Sequence, residues 1–298
     1  MKPTPKQPAA RYSDGHPLDE VHYLESKIIL KGDRFTSVDS FTDFAKVVRR
    51  AADDVDIGFS RKGFKDALPK IREVLFLDTA DFRLYNNAFI LRRRLSYEHG
   101  FAAGAPEFVF KFRHPDLQKC AEIDVRPKVR GDYEIKFKAE ALPLKDQLGG
   151  MRLLYSHNVE FALSRDRNTE STSMANLMRI FPPLMSLRGS RRQTVELVNH
   201  TAVEEVLLDI GRLNFGKGIK AKANVAVWRT RGDEKPLVGE FAFQCKFQRD
   251  DERHAVAMKR CARFFLALQD AAKDWLALGT TKTGAVYRLK GNPPQAHE

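Results

Sequence analysis

The sequence predicts an α+β fold: an antiparallel β-barrel with helices packed outside it. Strand-like segments come in two blocks, each flanked by helical segments, without the alternating rhythm of a doubly wound sheet. Four of those segments set a strongly apolar face against a strongly charged one. Hydrophobic residues make up 43% of the 298 and charged residues 30%, enough to bury a core. A barrel with inserted helices reaches this length as one domain.

Residues 1–20 read as a disordered leader, because the stretch up to Pro17 is polar and proline-rich. Residues 21–291 then read as one domain, followed by a tail over 292–298. Residues 22–31 are β-prone, and 37–52 carry Phe41, Phe44, Val47 and Val48 at helical spacing. Residues 73–79 form a short apolar strand. Segments 88–97 and 106–113 read as a hairpin joined across Gly100, Gly104 and Pro106. Segments 119–126 and 132–140 alternate as strands. Residues 143–185 change character and predict a mostly helical insertion that stops at Pro182 and Pro183. Strands resume over 192–198, 204–210, 220–231 and 237–248. A long amphipathic helix over 250–278 buries Cys261, Phe264, Leu268, Ala271 and Trp275, and Gly279 ends it. The segment 281–289 is expected to return to the sheet.

Side chains on a strand alternate between its two faces. In 107–113, Glu107, Val109, Lys111 and Arg113 oppose Phe108, Phe110 and Phe112. In 133–140, Glu134, Lys136, Lys138 and Glu140 oppose Tyr133, Ile135, Phe137 and Ala139. In 239–247, Glu240, Ala242, Gln244 and Lys246 oppose Phe241, Phe243, Cys245 and Phe247. In 121–126, Glu122, Asp124 and Arg126 oppose Ala121, Ile123 and Val125. Alternation alone fits an ordinary sheet with its charged side in water. It also fits, as the alternative, a barrel whose apolar faces lie under helices and whose charged faces line a wet interior. Such an interior suits a metal-bridged polyphosphate: carboxylates bind Mg²⁺ or Mn²⁺, and Arg and Lys clamp phosphate oxygens.

The formal net charge of +12 points to a polyanionic partner: nucleic acid, an anionic membrane or phosphorylated small molecules. Arg92, Arg93 and Arg94 do not form one nucleic-acid patch, because Arg93 points away from its neighbours on an alternating strand. No run approaches the roughly 18 apolar residues of a membrane span, and the leader has no apolar signal core, so the cytoplasm is the expected location. Three scattered cysteines make neither a disulfide framework nor a zinc site. The eight histidines show no metal-ligand spacing. Residues 211–217 fit most of a P-loop, but Gly218 stands where a Ser or Thr would hold Mg²⁺, so the segment reads as a hairpin turn.

Residues 74–85 (VLFLDTADFRLY) and 88–94 (AFILRRR) resemble the signature of the CYTH, or triphosphate tunnel, family, in which a strand ending in Asp-Thr leads to a strand carrying Leu-Arg-x-Arg. Residues 108–113 (FVFKFR) sit where that family has its phosphate-binding lysine strand. Glu122 and Asp124 resemble the acidic pair that follows, and 206–211 (VLLDIG) resemble a strand of the second half. The resemblance spans roughly residues 22–289. It implies an eight-stranded tunnel that hydrolyses a triphosphate, inorganic or thiamine triphosphate, with Mg²⁺ or Mn²⁺. Polyphosphate-polymerase domains share the tunnel. By this resemblance Glu25 and Glu240 are catalytic. Glu25, Glu122, Asp124 and Glu240 hold metal, and Lys27, Arg92, Arg94, Lys111, Arg113 and Lys136 hold phosphate. The chain departs from the family at Glu-x-Glu-x-Lys, where Tyr23 replaces the first Glu before Glu25 and Lys27. Ala242 and Gln244 also stand where carboxylates are usual. The thinned ligand set keeps open a second reading, a non-catalytic module that binds polyphosphate, a nucleotide or RNA.

Overall fold

Nine strands close into a ring in the computed structural model, which describes residues 20–162, 172–246 and 254–290. In chain order the strands are β1 (Tyr23–Leu30), β2 (Gly58–Ser60), β3 (Lys70–Asp78), β4 (Phe89–Glu98), β5 (Phe101–His114), β6 (Tyr133–Leu142), β7 (Arg152–Ala162), β8 (Thr172–Ser173), β9 (Thr194–Leu197), β10 (Val203–Gly216), β11 (Ile219–Thr230) and β12 (Pro236–Lys246). The ring runs β10, β11, β12, β1, β6, β7, β5, β4, β3, and β3 pairs back with β10. All neighbours are antiparallel except β1 and β6. An odd ring requires such an exception. Strand direction must return to itself around the circuit, so the antiparallel pairs must be even in number.

Four expectations are corrected. The ring holds nine strands rather than eight, and 143–185 is not mostly helical. That stretch contributes β7, a wall strand between β5 and β6. Its Tyr155, Val159 and Phe161 are strand formers, and they pack outward, partly or fully buried. Only the later part is helical, as α4 (Met174–Ile180) and a 3-10 segment (Pro182–Ser190). Residues 119–126 are not a strand either. They begin in α3 (Leu117–Ala121), whose start is capped by Asp116 accepting from the Lys119 amide at 3.1 Å. Finally, 281–289 holds α6 (Lys282–Tyr287), with Thr281 as its cap. The expected leader, apart from Glu20, and the expected tail lie outside the described residues.

The apolar faces pack outward. Helices α1 (Val38–Asp53) and α5 (His254–Ala271) cover β10, β11, β12 and β1 in one core that holds Phe241 and Phe243. Phe44 of α1 meets Phe241 at 5.7 Å and Trp275 at 5.3 Å. A second core under α4 takes Phe108, Phe110 and Phe137, with Phe110 stacked on Phe181 at 4.0 Å. Each phenylalanine so buried contributes about 1.5–3 kcal/mol.

A third core lies inside the barrel and closes one end. Ile29, Val74, Phe76, Ile90, Trp228 and Val238 project inward from their strands and meet Val286 and Tyr287 of α6. Tyr287 stacks on Tyr85, which belongs to α2 (Arg83–Asn86), at 4.1 Å. Tyr287 also donates to Asp78 Oδ2 at 3.1 Å. Asp78 is buried and accepts from the Thr79, Leu84 and Tyr85 amides at 2.7, 2.8 and 2.9 Å. Burial pushes its carboxyl up to about 6, against the pull of those hydrogen bonds.

Candidate anion-binding tunnel

Beyond the aromatic floor the inner faces are charged and enclose a cavity of about 250 Å³. Period-two alternation places Glu25 and Lys27 of β1 on the wall, beside Arg92 and Arg94 of β4, Lys111 and Arg113 of β5, and Lys138 and Glu140 of β6. Arg72, Glu160, Glu205 and Glu240 complete the charged wall, and Lys282 enters from α6. The lining holds eight cations and five carboxylates, an excess of three positive charges.

The carboxylates are paired with cations. Glu140 is wholly buried, with Lys27 at 3.2 Å, Arg113 at 3.9 Å and Lys111 in hydrogen-bond contact. Burial alone would raise its pKa, but Lys111, Lys27 and Arg113 hold it well below the usual carboxylate range. Glu25 faces Lys27 at 2.8 Å and Lys138 at 3.6 Å, and these cations overcome burial to hold it at about 2. Lys27, in turn, is held above its usual range by Glu140 and Glu25 despite its burial. Glu205 accepts from Arg72 Nε at 2.6 Å and from the Trp228 indole at 2.8 Å. It too lies at about 2, since Lys282 and Arg72 outweigh burial. Lys282 reaches Glu240 at 2.8 Å, and its ammonium lies 4.8 Å from the Trp228 ring centre.

Two basic groups are poised differently. Burial lowers Lys111 to about 7, with Lys27 and Arg113 adding repulsion and Glu140 opposing. Arg92 has no hydrogen-bond or ion-pair partner among the described residues, and its buried Nε is unsatisfied. Burial and then the neighbouring Arg94 lower it to about 10. An unpaired guanidinium in a confined site is costly unless an anion completes it.

The structure brings Glu25, Glu240, Lys27, Arg92, Arg94, Lys111 and Arg113 to one cavity. Lys136 shares the inner face of β6 one position further out, where it pairs with Glu160 at 2.8 Å and Glu134 at 3.0 Å. Glu122 and Asp124 do not reach the tunnel. They follow α3 outside the wall, where Glu122 is exposed and Asp124 is taken up by Arg126 Nε at 2.8 Å. The alternation of that segment looks like a strand but comes from a helix end and a turn. Sequence reasoning missed Arg72, Glu160, Glu205 and Lys282 as site residues. Lys138 and Glu140 were legible on the charged face of 133–140 but were not assigned roles.

The donor set does not fit a divalent ion. Among the described residues no three His, Cys, Asp or Glu side chains come together as a metal-holding group. Glu25, Glu140 and Glu240 each carry a lysine ammonium where a cation's other ligands would have to gather.

No protein-family model matches the chain, and no curated protein matches it. Among solved structures it is similar to a candidate adenylyl cyclase from Hippeastrum with a dominant triphosphatase activity, at 14% identity over 90% of this chain and 95% of that one, TM-score 0.40. It is also similar to candidate adenylate cyclases from Vibrio parahaemolyticus, at 10% identity over 89% and 97% with TM-score 0.35, and Bacillus halodurans, at 14% over 83% and 90% with TM-score 0.32. In fold, the chain's own strands form a tunnel barrel of the kind the CYTH resemblance implies, closed around, apolar outside and charged within.

Proposed function

We propose that the tunnel binds the end of a short phosphate chain, a triphosphate either free or carried by an organic group. The observation that carries this is Arg92, a guanidinium without a partner in a cavity where cations outnumber carboxylates. The aromatic floor closes one end, so the terminal phosphate enters from the open mouth and any organic group stays outside. Arg92, Arg94, Lys111, Lys27 and Arg113 are the phosphate ligands in this reading. Each charge-assisted contact contributes about 1.5–3 kcal/mol. A nucleic-acid ligand is not favoured, because the cations line a closed cavity rather than an open face. Hydrolysis with Mg²⁺ or Mn²⁺ is not assigned, since Lys27 and Lys282 hold Glu25 and Glu240.

Calorimetric titration with tripolyphosphate tests the reading. Arg92→Ala should weaken binding tenfold or more, and Arg92→Lys should recover part of it. Wild-type protein that takes up no tripolyphosphate would end the proposal. Phosphate release measured alongside, across Mg²⁺ and Mn²⁺ titrations, separates a binding module from a hydrolase.

A further inference from the structure

The inner face does not stop at the barrel mouth. On β10 the pairing with β3 covers only Val203 to Leu207, and on β11 the pairing with β12 covers only Ala223 to Arg229. Beyond those limits β10 and β11 continue together to the turn at Gly216, and β2 joins the free edge of β10 opposite Arg212 to Asn214. The result is a three-stranded apron projecting from the open end. Leu213, Phe215, Ile219 and Ala221 bury its back against the helical core. Gly211 holds β2 close: a Cβ there would lie 2.5 Å from the Phe59 ring.

The front of the apron is the tunnel wall carried outward. Trp228, Ala226 and Asn224 line the tunnel, and the same face of β11 continues through Lys222 to Lys220. Arg212 stands directly opposite Lys222, and Asn214 opposite Lys220. All four are exposed. Like charges facing each other across strands are destabilising unless an anion lies between them. The nearby carboxylate, Asp209, is already taken up by Lys222 at 3.2 Å and Lys70 at 3.8 Å. Lys62 and Lys220 have no ion-pair partner among the described residues, and both border a hollow of about 410 Å³ on this face.

We propose that the apron is a second anion site that binds the outer part of a phosphate chain longer than three units, so that the protein prefers longer linear polyphosphate to tripolyphosphate. This rests on the tunnel reading for the chain's terminal end. The closed floor forces a longer chain to leave through the mouth. The row from Asn224 through Lys222 to Lys220 then spans about 13 Å of strand, polar at its inner end and cationic over its outer half. A nucleic acid is less suited, because single strands are held by stacking on open aromatic faces. Phe64, a ring bordering the same hollow, has the Arg212 guanidinium 5.9 Å from its centre.

The test compares tripolyphosphate with a longer polyphosphate of defined length, by calorimetry over a salt series. The proteins are wild type, the Arg212→Ala/Lys220→Ala double variant and Lys62→Ala. The double variant should lose roughly tenfold in affinity for the long chain, and the slope of log affinity against log salt should shrink by about 2. Its tripolyphosphate affinity should stay within about twofold of wild type. Equal loss for both ligands, or for neither, overturns the apron. So does tighter, Arg212- and Lys220-dependent binding of a single-stranded RNA bearing a 5′-triphosphate. Wild type that ignores tripolyphosphate but binds the long chain through Arg212 and Lys220 would refute the tunnel reading and support the apron.

Discussion

Glu140 and Lys111 show how a single residue sets the chemistry of this cavity. Glu140 is wholly buried and stays ionised because three cations surround it, and one of those, Lys111, sits near neutrality because burial costs it its charge. Lys111→Ala should weaken tripolyphosphate binding tenfold or more by calorimetry. Lys111 is charged below about pH 7 and loses its proton as pH rises through that value. Wild-type affinity should therefore fall between roughly pH 6 and 8, and Lys111→Arg should flatten that fall. Glu205 works in the opposite sense for stability. Its pKa is depressed to about 2 in the folded chain, so its contribution is present above the unfolded value near 4.5 and is lost as pH falls through 2. Glu205→Gln keeps an acceptor for the Trp228 indole but removes the charge that Arg72 and Lys282 meet. It should cost about 3 kcal/mol at pH 6 and much less at pH 2, read from denaturant melts across that range.

At the scale of elements, α6 decides that the barrel is a cup rather than an open pipe. Its sequence is short, and the Ala285-Val286-Tyr287 run favours a strand, which explains why it reads as one. What makes it a helix is the Thr281 cap and the space inside the barrel that Val286 and Tyr287 fill. Tyr287→Ala should cost about 3–5 kcal/mol, because it leaves an internal cavity and takes away the Asp78 hydroxyl partner. Denaturant unfolding measures the loss. Tyr287→Phe, which keeps the stack on Tyr85, should recover most of it. Strand β7 teaches the converse. Its Arg152–Ala162 stretch lies inside the 143–185 segment that reads as helical, and only the vacancy between β5 and β6 shows that it must be a wall.

For the whole molecule, ring closure and net charge act together. The tunnel lining carries an excess of three positive charges, so most of the +12 lies elsewhere, the apron included. Ligand that neutralises the lining binds only the closed barrel, so it must stabilise the fold. At a hundredfold excess over its dissociation constant, tripolyphosphate should add about 2.7 kcal/mol. For a chain of this size that is a rise in Tm of about 4 °C, readable by scanning fluorimetry. The rise should shrink in high salt, as screening weakens the anion's hold at the mouth.

Composition and period-two patterning, read along the chain, determined that it builds strands with one apolar and one charged face, that amphipathic helices occur where α1 and α5 lie, and that Lys111 and the Arg92 and Arg94 pair each stand on one face of their strand. These follow from local chemistry, because alternation and helical spacing are properties of neighbouring residues. Only the tertiary structure decided that the charged side is the inside, since an open sheet and a closed barrel have the same alternation. It also decided the ninth strand, the parallel β1 and β6 pair, the exclusion of Glu122 and Asp124, and the entry of Arg72, Glu205 and Lys282. Those residues lie up to 210 positions apart in sequence, and nothing short of closing the ring by pairing β3 with β10 brings their charges into one small volume.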